Sequence, residues 1–185
     1  MPRPEPRARH NTLDNLMAAR DEARRAVHRV ALDDGAQTIS RPAFPGAQAT
    51  VRDVEPLAGA RAARKIELAA RAAATGYIRD AREAGHTWHD IGEALGVVPG
   101  GDAGQAGETV AEAAYCYAIR AAGQPGPQAP GRAGSFWWHC RSCDQVISDQ
   151  GHIGTPADNE PGHADSCPRL ATAIAEWDAS WEAEP

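Results

Sequence analysis

Residues 136–167 read FWWHCRSCDQVISDQGHIGTPADNEPGHADSC, and this stretch decides how the C-terminal part of the chain folds. It holds three of the four cysteines and three of the seven histidines. SFWWHC and DQVIS have the composition of short strands, and CRSC between them predicts a tight turn. A Cys-x-x-Cys turn sets two thiolates about one tetrahedral edge apart, with backbone amides aimed at the sulfurs. A later His-x-x-x-Cys brings two more ligands from one turn of chain. Four N/S donors close a structural zinc shell, so Cys140, Cys143, His163 and Cys167 are predicted to hold one structural zinc ion.

His139 and His152 are rival ligands. His139 adjoins Cys140 and points to the other face of a strand, whereas His152 replaces His163 if the loop folds back. Nineteen residues separate Cys143 from His163, so the loop containing NEPG reads as an insertion. Four ligands leave no open position for catalysis, and Glu160 and Asp165 read as solvated loop residues. The expectation is therefore a protein that is not an enzyme. The order of knuckled hairpin, loop, ligand pair and helix from Pro168 resembles treble-clef and CCHC-type zinc fingers over about residues 136–182.

Length and composition bound the rest. The chain has 185 residues, with 18 Gly and 14 Pro but only 2 Phe and 2 Met, which predicts a modest core and generous loops. No apolar run approaches the roughly 20 residues that span a bilayer, and MPRPEPRARH lacks a signal-peptide core. These features predict a soluble, cytoplasmic protein without a membrane partner, where clustered thiols favour metal over disulfides. Charge is uneven. Residues 1–30 carry seven basic and four acidic side chains, whereas residues 135–185 carry two and nine. Nucleic-acid contact would come from the N-terminal half.

Residues 1–10 read as disordered. A helix is predicted from Asn11 or Thr12 to about Leu32, with Leu13, Leu16, Val27 and Val30 on one stripe. Residues 33–52, with Gly35, Pro42, Pro45 and Gly46 as breakers, read as a connection. A long helix is predicted from Glu55 to Glu83. Pro56 suits its first turn, and its buried face is Leu57, Ile66, Ala69, Ala73, Tyr77 and Ile78, with arginines elsewhere.

Thr87 and Asp90 predict a capping box for a short helix with Trp88, Ile91 and Leu95 inward, ended at Gly96. Residues 98–107 read as loop. A second box, Thr109 and Glu112, opens a helix to Ala122 with Val110, Ala114, Tyr117 and Ala121 as its stripe and Cys116 as a small core residue. Residues 123–135 read as a Pro/Gly linker. In the last helix, Leu170, Ala173, Ile174, Trp177 and Trp181 are predicted to face inward.

TWHDIGEALGV (87–97) resembles the first helix and turn of bacterial helix-turn-helix DNA-binding proteins, on Ile91, Gly92, Leu95, Gly96 and Val97. Gly92 would let the second helix cross closely, and Gly96 would supply the turn. The family's recognition helix begins directly after the turn. Here Pro99, Gly100, Gly101, Gly104 and Gly107 intervene, and the next helix opens with Glu108, Thr109 and Glu112 rather than with base-reading residues. A plain helical hairpin remains the competing reading.

The arrangement resembles actinomycete-type proteins that join an alanine-rich, helix-turn-helix-like region to a C-terminal zinc finger, an architectural resemblance that brings no assigned activity. The fold expected is mainly α: a helical domain (11–122) with the helix-turn-helix-like segment, a linker (123–135), and a small zinc-bound ββα-like module (136–185). The function expected is a DNA-binding regulatory protein of transcription or replication. Arg61, Arg64, Lys65 and Arg71 would meet double-stranded DNA phosphates; Arg20, Arg24 and Arg25 recur at the same helical spacing on the first helix but, interrupted by Asp21, read rather as a solubilising face. The acidic module would meet a protein partner, with Trp137 as anchor. The alternative is a zinc-stabilised interaction adaptor without nucleic-acid binding. The long amphipathic helices suit a homodimer or an intramolecular bundle equally.

Overall fold

A computed structural model describes residues 6–98, 109–124, 134–152 and 154–182, the side chains of 6–13, 181 and 182 excepted. Among these residues the protein is mainly helical, with six helices and two separate two-stranded antiparallel sheets. The chain divides into two compact units, residues 1–70 and 71–185.

The first unit begins with α1 (Pro6–Asp33). This helix starts before the predicted Asn11 or Thr12, inside the stretch expected to be disordered. It ends where Gly35 takes a left-handed φ of 85° and the Ala36 N–H reaches back to the Ala31 carbonyl at 3.0 Å.

The expected connection at 33–52 contains instead a hairpin of β1 (Thr38–Pro42) and β2 (Thr50–Val54), paired from Thr38↔Val54 to Pro42↔Thr50. Its breakers do not interrupt pairing. Gly35 precedes β1, Pro42 closes it, and Pro45 and Gly46 lie in the loop. The strands leave most side chains exposed, so no apolar alternation marks them in the sequence.

Helix α2 (Pro56–Ala84) gives residues 56–70 to the first unit and the rest to the second. The Glu55 carboxylate accepts from the Ala58 and Leu57 amides at 2.8 and 3.1 Å, capping the helix ahead of Pro56. The buried core of the first unit is small: Ala31, Val54 and Ala62, flanked by Val27, Val30 and Ala36.

The predicted stripe on α2 is rotated. Leu57, Tyr77, Ala69 and Ala73 are exposed and Ile66 is half-buried. In the second unit the buried positions of α2 are Thr75, Ile78 and Arg82. The alanines that fill α2 give the apolar pattern little contrast, and an arginine holds an inward position that hydropathy assigns to the outside.

Thr87 and Asp90 form the predicted capping box of α3 (Trp88–Leu95), and Gly96 closes it in the left-handed region at φ 64°. Trp88 and Ile91 are buried, while Leu95 is 38 % exposed. Helix α4 (Val110–Ala121) opens at Thr109, whose hydroxyl accepts from the Glu112 amide. A Cβ on Gly92 would meet Val110 Cγ1 at 2.5 Å and Val110 O at 2.8 Å, so α3 and α4 cross at that glycine as the sequence predicts.

The stripe on α4 differs from prediction. Ala113, Ala114, Tyr115, Ala118 and Ile119 are buried, and Tyr117 and Cys116 are half-buried. Tyr115 is drawn inward because its ring packs edge-on against Trp88 at 5.2 Å and its hydroxyl donates to the Gly134 and Asp149 carbonyls.

After residues 125–133, which lie outside the described set with most of the predicted linker, come β3 (Phe136–Cys140) and β4 (Gln145–Asp149), paired from Phe136↔Asp149 to Cys140↔Gln145. A single turn, α5 (Pro156–Asn159), and α6 (Pro168–Glu182) complete the unit. The predicted 98–107 loop also lies almost wholly outside the described residues.

The flanks of the expected linker share one core. Ile78, Trp88, Ile91, Ala114, Ala118 and Ile119 cluster with Phe136, Trp138, Cys140, Ile147 and Cys167. Trp177 is 36 % exposed rather than inward, because α6 is buried mainly near its start. The Trp181 side chain is outside the described set. Among the described residues no helix is long and apolar enough to cross a membrane.

Candidate metal centre and its buried relay

Alternation along β3 and β4 turns Phe136, Trp138, Cys140, Ile147 and Asp149 inward. Cys140 ends β3, and the Asp144 amide donates to its carbonyl at 2.8 Å to close the turn. Asp144 itself takes a left-handed φ of 58°, a conformation Asp tolerates better than most residues. Cys143 is thereby turned toward Cys140. Cys167 precedes α6 and accepts from the Leu170 and Arg169 amides at the start of that helix.

The ligand atoms of Cys140, Cys143, His163 and Cys167 all lie within 4.8 Å of one another, so the four predicted residues are placed to hold one metal ion. Cys140 Sγ and Cys167 Sγ are 3.8 Å apart, and Cys143 Sγ and His163 Nδ1 are 3.5 Å apart. Burial opposes ionisation of Cys143, but the Ala164 amide and the His163, Cys167 and Cys140 side chains outweigh it and hold its thiol at about 6. Burial pushes the Cys167 thiol up.

The rival histidines are engaged elsewhere. His139 Nε2 faces Asp144 at 3.1 Å. His152 Nε2 faces Thr109 Oγ1 at 3.0 Å, and burial lowers its pKa.

The long loop between the ligand pairs is folded back rather than free. The Ser148 and Gln150 amides of the β4 edge donate to the Pro161 and Asn159 carbonyls at 3.0 and 2.7 Å. Gly162, at φ 113°, lies so close to β4 that a Cβ would meet the Val146 carbonyl at 2.8 Å. This docking delivers Glu160 and His163 to the core.

Glu160 is therefore not the solvated loop residue expected. It is buried, and its Oε2 sits 3.1 Å from His163 Nε2. The carboxylate fixes the imidazole with Nδ1 turned to the sulfurs, as carboxylates do when they hold the far nitrogen of a metal-bound histidine. The His163 side chain is 1 % exposed.

Beyond Glu160 the polar contacts continue inward. Arg82 Nη2 donates to Glu160 Oε1, Nε donates to Asp149 Oδ2 at 2.8 Å, and Nη1 donates to the His86 carbonyl at 2.7 Å. Asp149 is fully buried and accepts in addition from Trp138 Nε1, Trp88 Nε1 and the Gly151 amide at 2.9–3.0 Å. The Arg82 guanidinium lies 5.2 Å from the Trp88 ring and 5.6 Å from Trp138, and Arg169 stacks over Trp138 at 3.9 Å. A buried arginine between two carboxylates holds only when its hydrogen bonds are satisfied, and here they are.

Sequence reasoning missed Arg82, Asp149 and Glu160. Two of them carried a signal: charged residues at inward positions, Arg82 four residues after Ile78 and Asp149 two after Ile147.

The outer face of the hairpin carries Trp137, 50 % exposed, and Val146, 60 % exposed. Trp138 is buried, as strand alternation requires of one of the two neighbours. The open edge of β3 is covered by α2: Arg79 Nε donates to the Trp137 carbonyl at 3.0 Å, and Glu83 accepts from the His139 amide at 3.3 Å.

The predicted nucleic-acid residues lie along the exposed side of α2. Lys65 Nζ bonds both Asp34 oxygens at 2.7 Å, and Arg64 pairs with Glu67 at 2.7 Å. Arg61 lines a shallow cavity with Asp34 and Lys65, and Arg71 is exposed. No family model, curated protein or solved structure matches the chain.

Proposed function

We propose that the second unit is a zinc-stapled, non-catalytic protein-interaction module. Three sulfurs and one imidazole nitrogen are the donor set of structural zinc. The relay behind His163 presets that donor set rather than leaving a position for substrate. The ion would tie the β3–β4 turn to the start of α6 and so couple metal binding to the folding of that end of the unit.

The observation that carries the interaction role is Trp137. It stands half exposed beside Val146 on a hairpin whose other face is locked into the core. Residues 71–185 hold sixteen acidic and seven basic side chains, which suits a basic partner with an apolar pocket for the indole. Because Arg79 and Glu83 occupy the β3 edge, the partner would dock on the hairpin face and not by adding a strand.

Helix α4 gives the helix-turn-helix route to DNA little support. Arg120 is the one exposed residue between Val110 and Ala121, and a recognition helix needs a free face. The test places a photo-crosslinking residue at position 137 of the zinc-loaded chain. Specific capture of one basic protein, lost in Val146→Asp with zinc content unchanged, supports the reading. Capture of nothing, or capture indifferent to Val146→Asp, rejects it.

A further inference from the structure

The first unit holds a cationic cleft that joins arginines of α1 to arginines of the β1–β2 hairpin. Two cavities, of about 570 and 510 Å³, flank one ion-pair bridge between α1 and the β1–β2 hairpin. The bridge is Asp53, which accepts from Arg41 Nε at 2.8 Å and from Arg24 at 3.3 Å. Arg41 beside it holds the Asp53 carboxyl below the usual carboxylate range. Around it stand Arg20, His28 and Arg52, with Val27, Ile39 and Val54 as an apolar floor. Asp21 also lines the cleft, and Arg25 on its rim is paired with Glu22 at 2.7 Å. Positive charge prevails.

We infer that this cleft binds the phosphate backbone of duplex DNA. Arg20, Arg24 and His28 follow one another at every fourth residue of α1, so they repeat about every 6 Å along its axis. A nucleic-acid strand presents its phosphates at a comparable interval. Arg41 and Arg52 reach in from the hairpin on the opposite wall. Asp53 aims Arg24 and Arg41 and leaves Arg20 and Arg52, which carry no ion pair among the described residues, for the ligand. Guanidinium forks match phosphate oxygens in two-point contacts.

Among the described residues the lining contains no Phe, Tyr or Trp. Single-stranded nucleic acid is bound on aromatic stacking platforms, so a duplex fits better. Contacts of this kind position a protein without reading sequence. The inference is independent of the zinc-module reading and uses no residue of the second unit.

The test titrates the full zinc-loaded chain with a mixed-sequence duplex from about 50 to 200 mM salt. Affinity should fall with salt. The double variant Arg20→Ala/Arg52→Ala should flatten the log–log slope by about 1.8, at about 0.9 for each phosphate no longer neutralised. Arg61→Ala/Arg64→Ala should leave the slope unchanged, as should Trp137→Ala. Circular dichroism checks that each variant is folded. No duplex binding at low salt, an unchanged slope in the Arg20/Arg52 variant, or an equal flattening in the Arg61/Arg64 variant would overturn the inference. So would binding of the single strand as tight as that of the duplex.

Discussion

The two units are built from similar alanine-rich helices but are held together differently. Among the described residues the first buries three small apolar side chains and carries exposed ion pairs around Asp53 and Asp34. The second buries a continuous aromatic and aliphatic cluster and threads a charged network through it to His163 of the Cys3His cluster. Their charges are opposite as well. Residues 1–70 carry twelve basic and nine acidic side chains, and residues 71–185 carry seven and sixteen. Surface pairs contribute little and are screened by salt, whereas a buried arginine that loses a partner leaves an uncompensated charge. The second unit should therefore be rigid and metal-dependent, and the first salt-sensitive and metal-independent.

Removing the metal should break the comparison most visibly. All five tryptophans lie within residues 71–185, so indole fluorescence reports on the second unit alone. A strong chelator, or Cys140→Ser, should red-shift that emission, weaken near-ultraviolet dichroism and lower the melting temperature of the second unit. Helical signal from α1 should persist. Loss of all helix together would mean that the first unit depends on the metal too.

Arg82→Met comes next. It leaves Asp149 and Glu160 buried without their cation and should cost about 3–5 kcal/mol in denaturant unfolding followed by fluorescence. A cost below about 1 kcal/mol would show that the network is solvated in solution. Glu160→Gln keeps the shape but weakens the hold on His163. Metal affinity should fall about 10–100-fold in a competition titration, and, because Arg82 keeps only Asp149 as a charged partner, stability should fall too, by less than in Arg82→Met.

The pH dependence is a finer probe. With the Cys143 thiol held at about 6 in the folded, metal-free chain and higher when unfolded, its contribution to stability is full above the ordinary thiol value. That contribution is lost as pH falls through about 6. Metal-free Cys143→Ser should lack this slope between those limits, as read by melting temperature against pH. The smallest effect belongs to the first unit. Asp53→Asn should cost only about 0.2–1 kcal/mol, and less at high salt, as expected of exposed pairs.

What was legible in the sequence follows the same division. The clustering of Cys140, Cys143, His163 and Cys167 was readable because Cys-x-x-Cys and His-x-x-x-Cys are set by local geometry. So were the Thr87 box, the Gly96 stop and the close approach at Gly92, each fixed by residues near in sequence. The hairpin at 38–54 was not, because its strands lie exposed and show no alternation. The buried faces of α2 and α4 were misplaced by a fraction of a turn, since alanine on every side leaves tertiary partners to choose the face. Glu160 and Asp149 were unreadable as a pair because only the folded loop brings them to Arg82.

The most direct test of the central claim is zinc-edge X-ray absorption on the purified chain. The account predicts one zinc per chain with three sulfurs at about 2.3 Å and one nitrogen at about 2.0–2.1 Å. A substoichiometric metal, or a shell in which oxygen replaces a sulfur or the imidazole, would contradict it.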